Sequence, residues 1–537
     1  MLLKFKLKIF SNLKLKQFMK KIIPLSLLII LLLADSCVNT SKENSTTQDY
    51  RPKYHFTPDS NWINDANGLV YYDGEYHLFY QYNPYGITWG HMSWGHSVSK
   101  DLLHWQTLPV ALYDDKNIKD NDTSMIFSGS AVVDKNNTSG FGTLSNPPMV
   151  AIYTAFVHAG QFADGSFNAK KQNQCLAYSI DKGRTWTKYQ ENPVLDIESL
   201  EYRDPKVFWY EPQKKWIMAL SKPDRQEAWF YESKNLKDWN YMSRWGRAGN
   251  TARVWECPDL FEIPVEGTQE KKWVLLISSG NPQENHPGQQ YFIGNFDGKK
   301  FTPQHSYQEP TYVDFGKDYF AAVTYNNAPE NKRILVGWTN NWEYANKVPT
   351  GKLWRGFYAV PRELKLVKNG SEYKLIQMPI EALNSLKKEE LNIQNQSVEN
   401  TFDLTYKGDA YELECTLEPL NSNKAGIKIL KGDKEQTTLT FHTKENYLTL
   451  DRTQSGNVGF SHRFPSIEKA PTTLKEGKLK LKILVDKCII EVFINDGETT
   501  LTELVFPTEN KGGIQLFTEG GKALFNELKI SSIQSTH

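Results

Sequence analysis

The chain has 537 residues, with 63 Lys and Arg against 62 Asp and Glu. That length suits two to four domains, and the balanced charge argues against nucleic acid, which requires a cationic excess. Hydrophobic residues at 39% exclude a mainly disordered chain, aromatics at 13% suit an all-β protein or stacking on sugar rings, and five cysteines are too few for a disulfide scaffold.

The first element is an address. Lys20 and Lys21 precede an apolar run over residues 22–33, and Ala34-Asp35-Ser36-Cys37 follow. A basic stretch, a short apolar run and small residues at a cleavage point make a signal peptide of residues 1–36. The run is too short for a comfortable membrane span. Cys37 after a small residue resembles a bacterial lipobox, which implies cleavage before Cys37 and lipid on its sulfur; an ordinary signal peptide is the alternative. Loss of residues 1–36 removes seven Lys and one Asp, leaving a net charge of −5. Residues 37–50, polar and rich in Ser, Thr and Asn, read as a tether. The expectation is an exported bacterial lipoprotein, at the outer membrane or facing the periplasm, that meets a membrane only through this anchor.

From 51 to 364 the sequence is a series of short strand-like runs, among them Tyr76–Tyr82, Met149–Tyr153 and Trp273–Ser278, separated by Gly, Asp, Asn and Pro. A weak repeat runs through them. Ser99-Lys-Asp101…Trp105, Ser179-Ile-Asp181…Trp186 and Ser233-Lys-Asn235…Trp239 each pair a strand end with an Asx turn and a returning Trp, and Phe296–Phe301 is a looser copy. Repeated strand–turn–strand units predict the blades of a propeller, with unrelated hairpins in a large sandwich as the alternative. Residues 365–395 read as a charged linker with a short helix after Pro379. From 396 to 537, alternation as in Lys478–Leu484 and Cys488–Ile494 predicts a separate β-sandwich.

The available chemistry is narrow. HExxH, paired CxxC, phosphate-loop and GxSxG patterns are all missing from the sequence. Cys175, Cys257, Cys415 and Cys488 are widely spaced and read as small buried apolar residues. Carboxylates in aromatic surroundings remain: Asp65 in Trp62-Ile-Asn-Asp-Ala-Asn-Gly68, Asp204 in Tyr202-Arg-Asp-Pro-Lys206, and Glu256 in Val254-Trp-Glu-Cys-Pro-Asp-Leu260. A carboxylate beside a strand with apolar neighbours is costly unless paired or used. Taken singly these motifs also read as a turn, a surface ion pair and a strand end; their joint presence in one all-β chain points to glycoside hydrolysis.

The same three motifs resemble the signatures of glycoside hydrolase family 32, the β-fructosidases. The likeness extends through Phe79–Pro84, Trp89–His96, Phe127–Ser130, Gly337–Trp342 and Glu491–Gly497. Ala66 stands where the family usually has Pro. The resemblance implies an all-β fold, a five-bladed β-propeller followed by a lectin-like β-sandwich. It also implies roles: Asp65 as nucleophile, Glu256 as acid and then base, Asp204 as transition-state stabiliser. Asn64, Gln81, Trp89, Phe127, Ser128, Arg203 and Trp338 would line the fructose pocket, with Trp89 and Trp338 as apolar walls and Arg203 keeping Asp204 ionised. Glu256 must start protonated, which burial and neighbouring carboxylates favour. Carboxylates and water suffice, so neither metal nor cofactor is expected.

Thr88–His96, Asp314-Phe-Gly-Lys-Asp318 and Asn341–Asn346 look more like fructan-degrading members than sucrose-specific ones. The expected activity is exo-hydrolysis of levan or inulin, releasing terminal fructose. An endo-levanase or a transfructosylase is the alternative within the class, and a lipid-anchored fructan-binding protein the alternative outside it. Linkage preference and oligomeric state are not legible in the sequence.

Overall fold

The structure is a computed structural model that describes residues 49–116, 118, 121–279 and 288–537. Cys37, the signal peptide and most of the tether lie outside the described residues. The expected tether reaches too far: Tyr50 is already buried, and its hydroxyl donates to the carbonyl of Pro507 at 3.1 Å.

Five antiparallel sheets follow one another along the chain. Their innermost strands are Asn61–Tyr72, Thr123–Val133, Arg203–Tyr210, Glu256–Pro264 and Phe320–Thr324, and neighbours in this series pack side by side around a ring. Each sheet is one blade. The repeat seen in the sequence is the turn into the outermost strand of four of them. Asp101 accepts from the amide of His104 at 2.8 Å, Asp181 from Thr185 at 2.9 Å, Asn235 from Asp238 at 2.9 Å and Asp297 from Lys300 at 2.7 Å. The side chain replaces the backbone partner that a tight turn lacks. The ring is closed by Trp354–Arg355, which joins the fifth-blade region to the first blade as a parallel strand beside Asn61–Trp62.

The stretch expected to be a linker is paired through most of its length. Arg362–Asn369 and Glu372–Pro379 form the outer hairpin of the fifth blade. A short 3-10 helix over Glu381–Leu386 follows, where the sequence placed a short helix. Lys387–Lys407 is then a 21-residue strand against Gly513–Ile533. The charges that suggested a linker belong to exposed strand faces, so we place the domain boundary at the 3-10 helix.

The sandwich is a ten-stranded antiparallel arrangement. Alternate residues such as Leu413, Leu481, Ile483, Val492 and Leu516 fill its core. Buried charges join it to the propeller. Arg362 pairs with Asp314 at 2.9 Å and Glu491 at 2.6 Å, with all three side chains fully buried. Asp318 accepts from Tyr344 at 2.5 Å and from the amide of Leu504 at 2.9 Å, and is also paired with Arg452. The Asp314-Phe-Gly-Lys-Asp318 motif is thus a docking device. Gly316 is required there, because a Cβ would fall 2.1 Å from the carbonyl oxygen of Thr502.

Candidate active site

All five innermost strands break register at one depth. Asn64-Asp65 lie opposite Gln81, Phe127-Ser128 opposite Thr154, Asp204-Pro205 opposite Leu220, Cys257-Pro258 opposite Ile277, and Ala321-Ala322 opposite Gly337. Two residues against one is a β-bulge, which re-aims side chains. A ring of five bulges turns one set of side chains toward the axis. Asp204 (φ 65°), Cys257 (φ 47°) and Ala321 (φ 52°) hold the left-handed conformation, which costs a non-glycine residue about 1–2 kcal/mol. Pro205 and Pro258 suit bulges, where no ladder amide is needed.

The bulges bring the three sequence-distant carboxylates together. Ser128 Oγ donates to Asp65 Oδ2 at 2.7 Å, and Asn64 Nδ2 donates to Asp65 Oδ1 at 3.0 Å. Asn64 is held by Trp62, whose indole donates to its Oδ1 at 2.8 Å, and by Tyr358, whose hydroxyl donates to its carbonyl at 2.6 Å. Asp204 Oδ2 accepts from the Cys257 amide at 2.9 Å, and the Asp204 amide donates to Thr154 Oγ1 at 3.0 Å. The Cys257 thiol lies 3.6 Å from both Asp65 Oδ2 and Asp204 Oδ2, so the two carboxylates flank one sulfur atom. Arg203 reaches Glu256 Oε1 with Nε at 3.1 Å and Nη2 at 2.9 Å. It also pairs with Glu201.

The electrostatics follow from burial and crowding. Burial pushes the Asp204 carboxyl up to about 7; Arg203 opposes this, and Glu256 and Asp65 add to it. Burial also raises Glu256, again against Arg203 and with help from Asp65. Both shifts favour the protonated carboxyls over what isolated groups would show. Arg203 lowers the Asp204 value, the direction expected of it, but burial outweighs it. Burial and the adjoining carboxylates raise the Cys257 thiol well above its ordinary value, which keeps its proton available for donation.

The remaining expected pocket residues separate into two groups. Trp89 and Phe127 are partly buried, with ring centroids 6.1 Å apart, and Phe127 adjoins Ser128. Gln81 is buried, and its Nε2 donates to the Ile126 carbonyl at 2.9 Å, tying the first blade to the second. Trp338 has no exposed surface, so it does not present the open apolar wall expected of it. It packs beneath Trp342 at 4.7 Å, and Trp342 is the exposed member of the cluster, 6.1 Å from Trp62.

Cys257 was legible in principle. Arg203-Asp204-Pro205 and Glu256-Cys257-Pro258 occupy the same register positions on neighbouring blades, so aligning the two motifs places Cys257 beside Asp204. A narrow axial cavity of about 20 Å³ beneath the cluster is lined by Ala66, Ser128, Asp204 and Cys257. A larger cavity of about 790 Å³ opens at the other end of the inner strands, by Tyr210, Glu262 and Asn326, and holds none of the three carboxylates.

Comparison with known proteins finds matches over most of the chain. The model of the glycosyl hydrolases family 32 N-terminal domain matches residues 55–379, and that of the family 32 C-terminal domain matches residues 380–532. A levanase of Bacillus subtilis is 43% identical, with the alignment covering 96% of this chain and 75% of the levanase. An extracellular exo-inulinase of Aspergillus awamori is 38% identical over 91% of this chain and 95% of its own. A crystal structure of exo-inulinase from Aspergillus awamori superposes with a TM-score of 0.84 at 37% identity, over 91% of this chain and 99% of that one.

Proposed function

The chain belongs to glycosyl hydrolase family 32, and from that premise we propose that it is an exported exo-fructanase. It removes terminal β-D-fructofuranosyl residues from levan or inulin with retention of configuration. The observation that carries this reading is the meeting of Asp65, Asp204 and Glu256 around Cys257 and Arg203. The levanase and exo-inulinase relatives support the substrate class, and the extracellular relative supports export.

The chemistry needs two carboxyl groups in opposite protonation states. Asp65, held by Ser128 and Asn64, attacks the anomeric carbon of fructose. The bond to the leaving oxygen breaks as Glu256 gives it a proton. The ionised Glu256 then takes a proton from water, whose oxygen displaces Asp65 and releases fructose. Positive charge developing on the sugar ring is stabilised by the negative charge of Asp65 and the Asp65–Asp204 pair. Arg203 steadies Glu256 in the ionised form it takes midway. The sandwich braces the propeller through Arg362 and Arg452.

Product analysis tests the reading. Sucrose, inulin and levan are supplied and products are followed from the first turnover. On inulin and levan, exo action gives fructose without early oligosaccharides, whereas oligosaccharides at early times indicate endo action; sucrose yields fructose and glucose. The anomer first released, seen by NMR, reports retention or inversion.

The pH profile tests the acid. Activity falls as pH rises through the raised value of Glu256, because the proton needed by the leaving group is lost. Arg203 favours the ionised form, so Arg203→Leu is expected to move the alkaline limb of kcat/KM upward by about one pH unit while lowering its maximum. An alkaline limb that stays in place or moves down would remove Glu256 from the role of acid.

A further inference from the structure

A fourth carboxylate stands at the catalytic cluster, and neither step of the hydrolysis uses it. Glu201 lies two residues before Arg203, in the segment that crosses from the second blade to the third. Its backbone is fixed without help from its side chain. The Glu201 amide donates to Ser199 Oγ at 3.2 Å, and its carbonyl accepts from Ser199 Oγ at 3.1 Å and from Lys222 Nζ at 2.9 Å. Tyr202, the next residue, is bracketed by two glutamines of the second blade. Its amide donates to Gln172 Oε1 at 2.8 Å, and its carbonyl accepts from Gln174 Nε2 at 2.8 Å. The Glu201 carboxylate takes no part in this framework and turns instead to Arg203.

Arg203 divides its donors between two carboxylates. Nε and Nη2 both reach Glu256 Oε1, at 3.1 and 2.9 Å. Nη1 pairs with Glu201 Oε2 and also meets Gln172 Oε1 at 3.3 Å. With Nη1 held, the guanidinium plane is set and its Nε–Nη2 edge faces Glu256. Both of those donors fall on Oε1, and among the described residues no hydrogen bond reaches Oε2. Oε2 is therefore the oxygen left to carry the proton that the leaving group needs. The cation is shared as well as aimed. Burial raises the Glu256 carboxyl, Arg203 opposes it, and Asp65 and Glu201 add to it. A guanidinium partly balanced by Glu201 pulls less on Glu256 than it would alone.

We propose that Glu201 is a positioning residue for the acid step: by holding Arg203 Nη1 and balancing its charge, it aims the guanidinium at Glu256 Oε1 and leaves Oε2 to protonate the leaving oxygen. The proposal rests on reading the chain as a fructoside hydrolase with Glu256 as its acid.

The test is the pH dependence of kcat/KM in the protein, Glu201→Gln and Glu201→Asp, on whichever of inulin, levan and sucrose the wild type cleaves fastest. Glu201→Gln keeps an acceptor for Nη1 but removes the charge, so the full pull of Arg203 falls on Glu256. Its alkaline limb is expected to move down by about half a pH unit, opposite to Arg203→Leu; the shift is modest because the Glu201 side chain is 41% exposed and solvent screens it. Glu201→Asp keeps the charge and is expected to return the limb to its wild-type place. The other groups that face this cluster, Asp65, Asp204, Arg203 and the Cys257 thiol, and Lys222 with its partner Asp224, are the same in all three proteins. A limb that stays in place or moves up in Glu201→Gln overturns the proposal, as does an equal downward move in Glu201→Asp. A loss of rate that is uniform with pH marks a structural role and overturns it too. The wild-type rate keeps the two readings apart: hydrolysis with no difference among the three limbs sinks the positioning role alone, and no hydrolysis sinks both.

Discussion

Asp65→Asn is expected to lower kcat on fructan by about 10⁴-fold or more, the scale seen when a catalytic nucleophile is removed. The substitution keeps the shape of the side chain. One amide oxygen still accepts a hydrogen bond from Ser128 or Asn64, and the Ser128 hydroxyl can rotate to accept from the new NH₂. What is lost is the negative charge and the lone pair that attacks carbon. Crowding among the three carboxyls also relaxes, so folding is not expected to suffer. The measurement is single-turnover hydrolysis of sucrose and inulin beside a thermal melt. A variant with near wild-type melting and more than a few per cent of wild-type turnover would remove Asp65 from the mechanism.

Arg362→Met is expected to cost about 3–5 kcal/mol of stability, because it leaves Asp314 and Glu491 buried with one cation removed. Both side chains have no exposed surface, and the Thr502 hydroxyl loses the donor at 2.6 Å while still donating to Asp314 at 2.8 Å. The damage falls where the two domains meet. Denaturant unfolding is therefore expected to lose cooperativity, with propeller and sandwich separating. A midpoint and slope equal to wild type would show that the buried pair contributes nothing net.

The same interface has a pH dependence of known sign. Burial pulls His55 down, but its hydrogen bonds to Asp486 and Glu491 more than reverse this and raise it to about 9. Because the folded value lies above the unfolded one, the stabilisation is fully present below about pH 6.5 and is lost as pH rises through 9. Denaturant titrations between pH 6 and 10 are expected to show this decline, and His55→Gln is expected to flatten it.

Much of the site could be read from local sequence because its motifs are the bulges themselves. Arg-Asp-Pro and Glu-Cys-Pro each carry a left-handed residue before a proline, and their residues are confined to a few positions by backbone chemistry. Cys257 escaped functional notice because a lone buried cysteine ordinarily packs as an apolar residue, and only its neighbours give the thiol a task. Trp338 and Trp342 share one motif, and only packing against Trp62 from another blade makes one buried and the other exposed. The expected linker failed for a similar reason. Polar residues on an exposed strand face resemble those of a loop until a partner strand pairs with them.

The sequence by itself determined the strand-and-turn rhythm, the change to regular alternation near residue 396 and the presence of three motifs that set a carboxylate beside a strand. Those features rest on local rules: side-chain alternation, Asx turns and the backbone limits of proline. Tertiary structure alone decided which carboxylates meet, that a thiol lies between two of them, that Asp314 and Asp318 anchor the sandwich, and that Phe167 packs on Trp89. Each of these depends on closing a ring of five sheets, which brings residues some fifty to two hundred positions apart into contact, and no local propensity encodes the distances that closure sets.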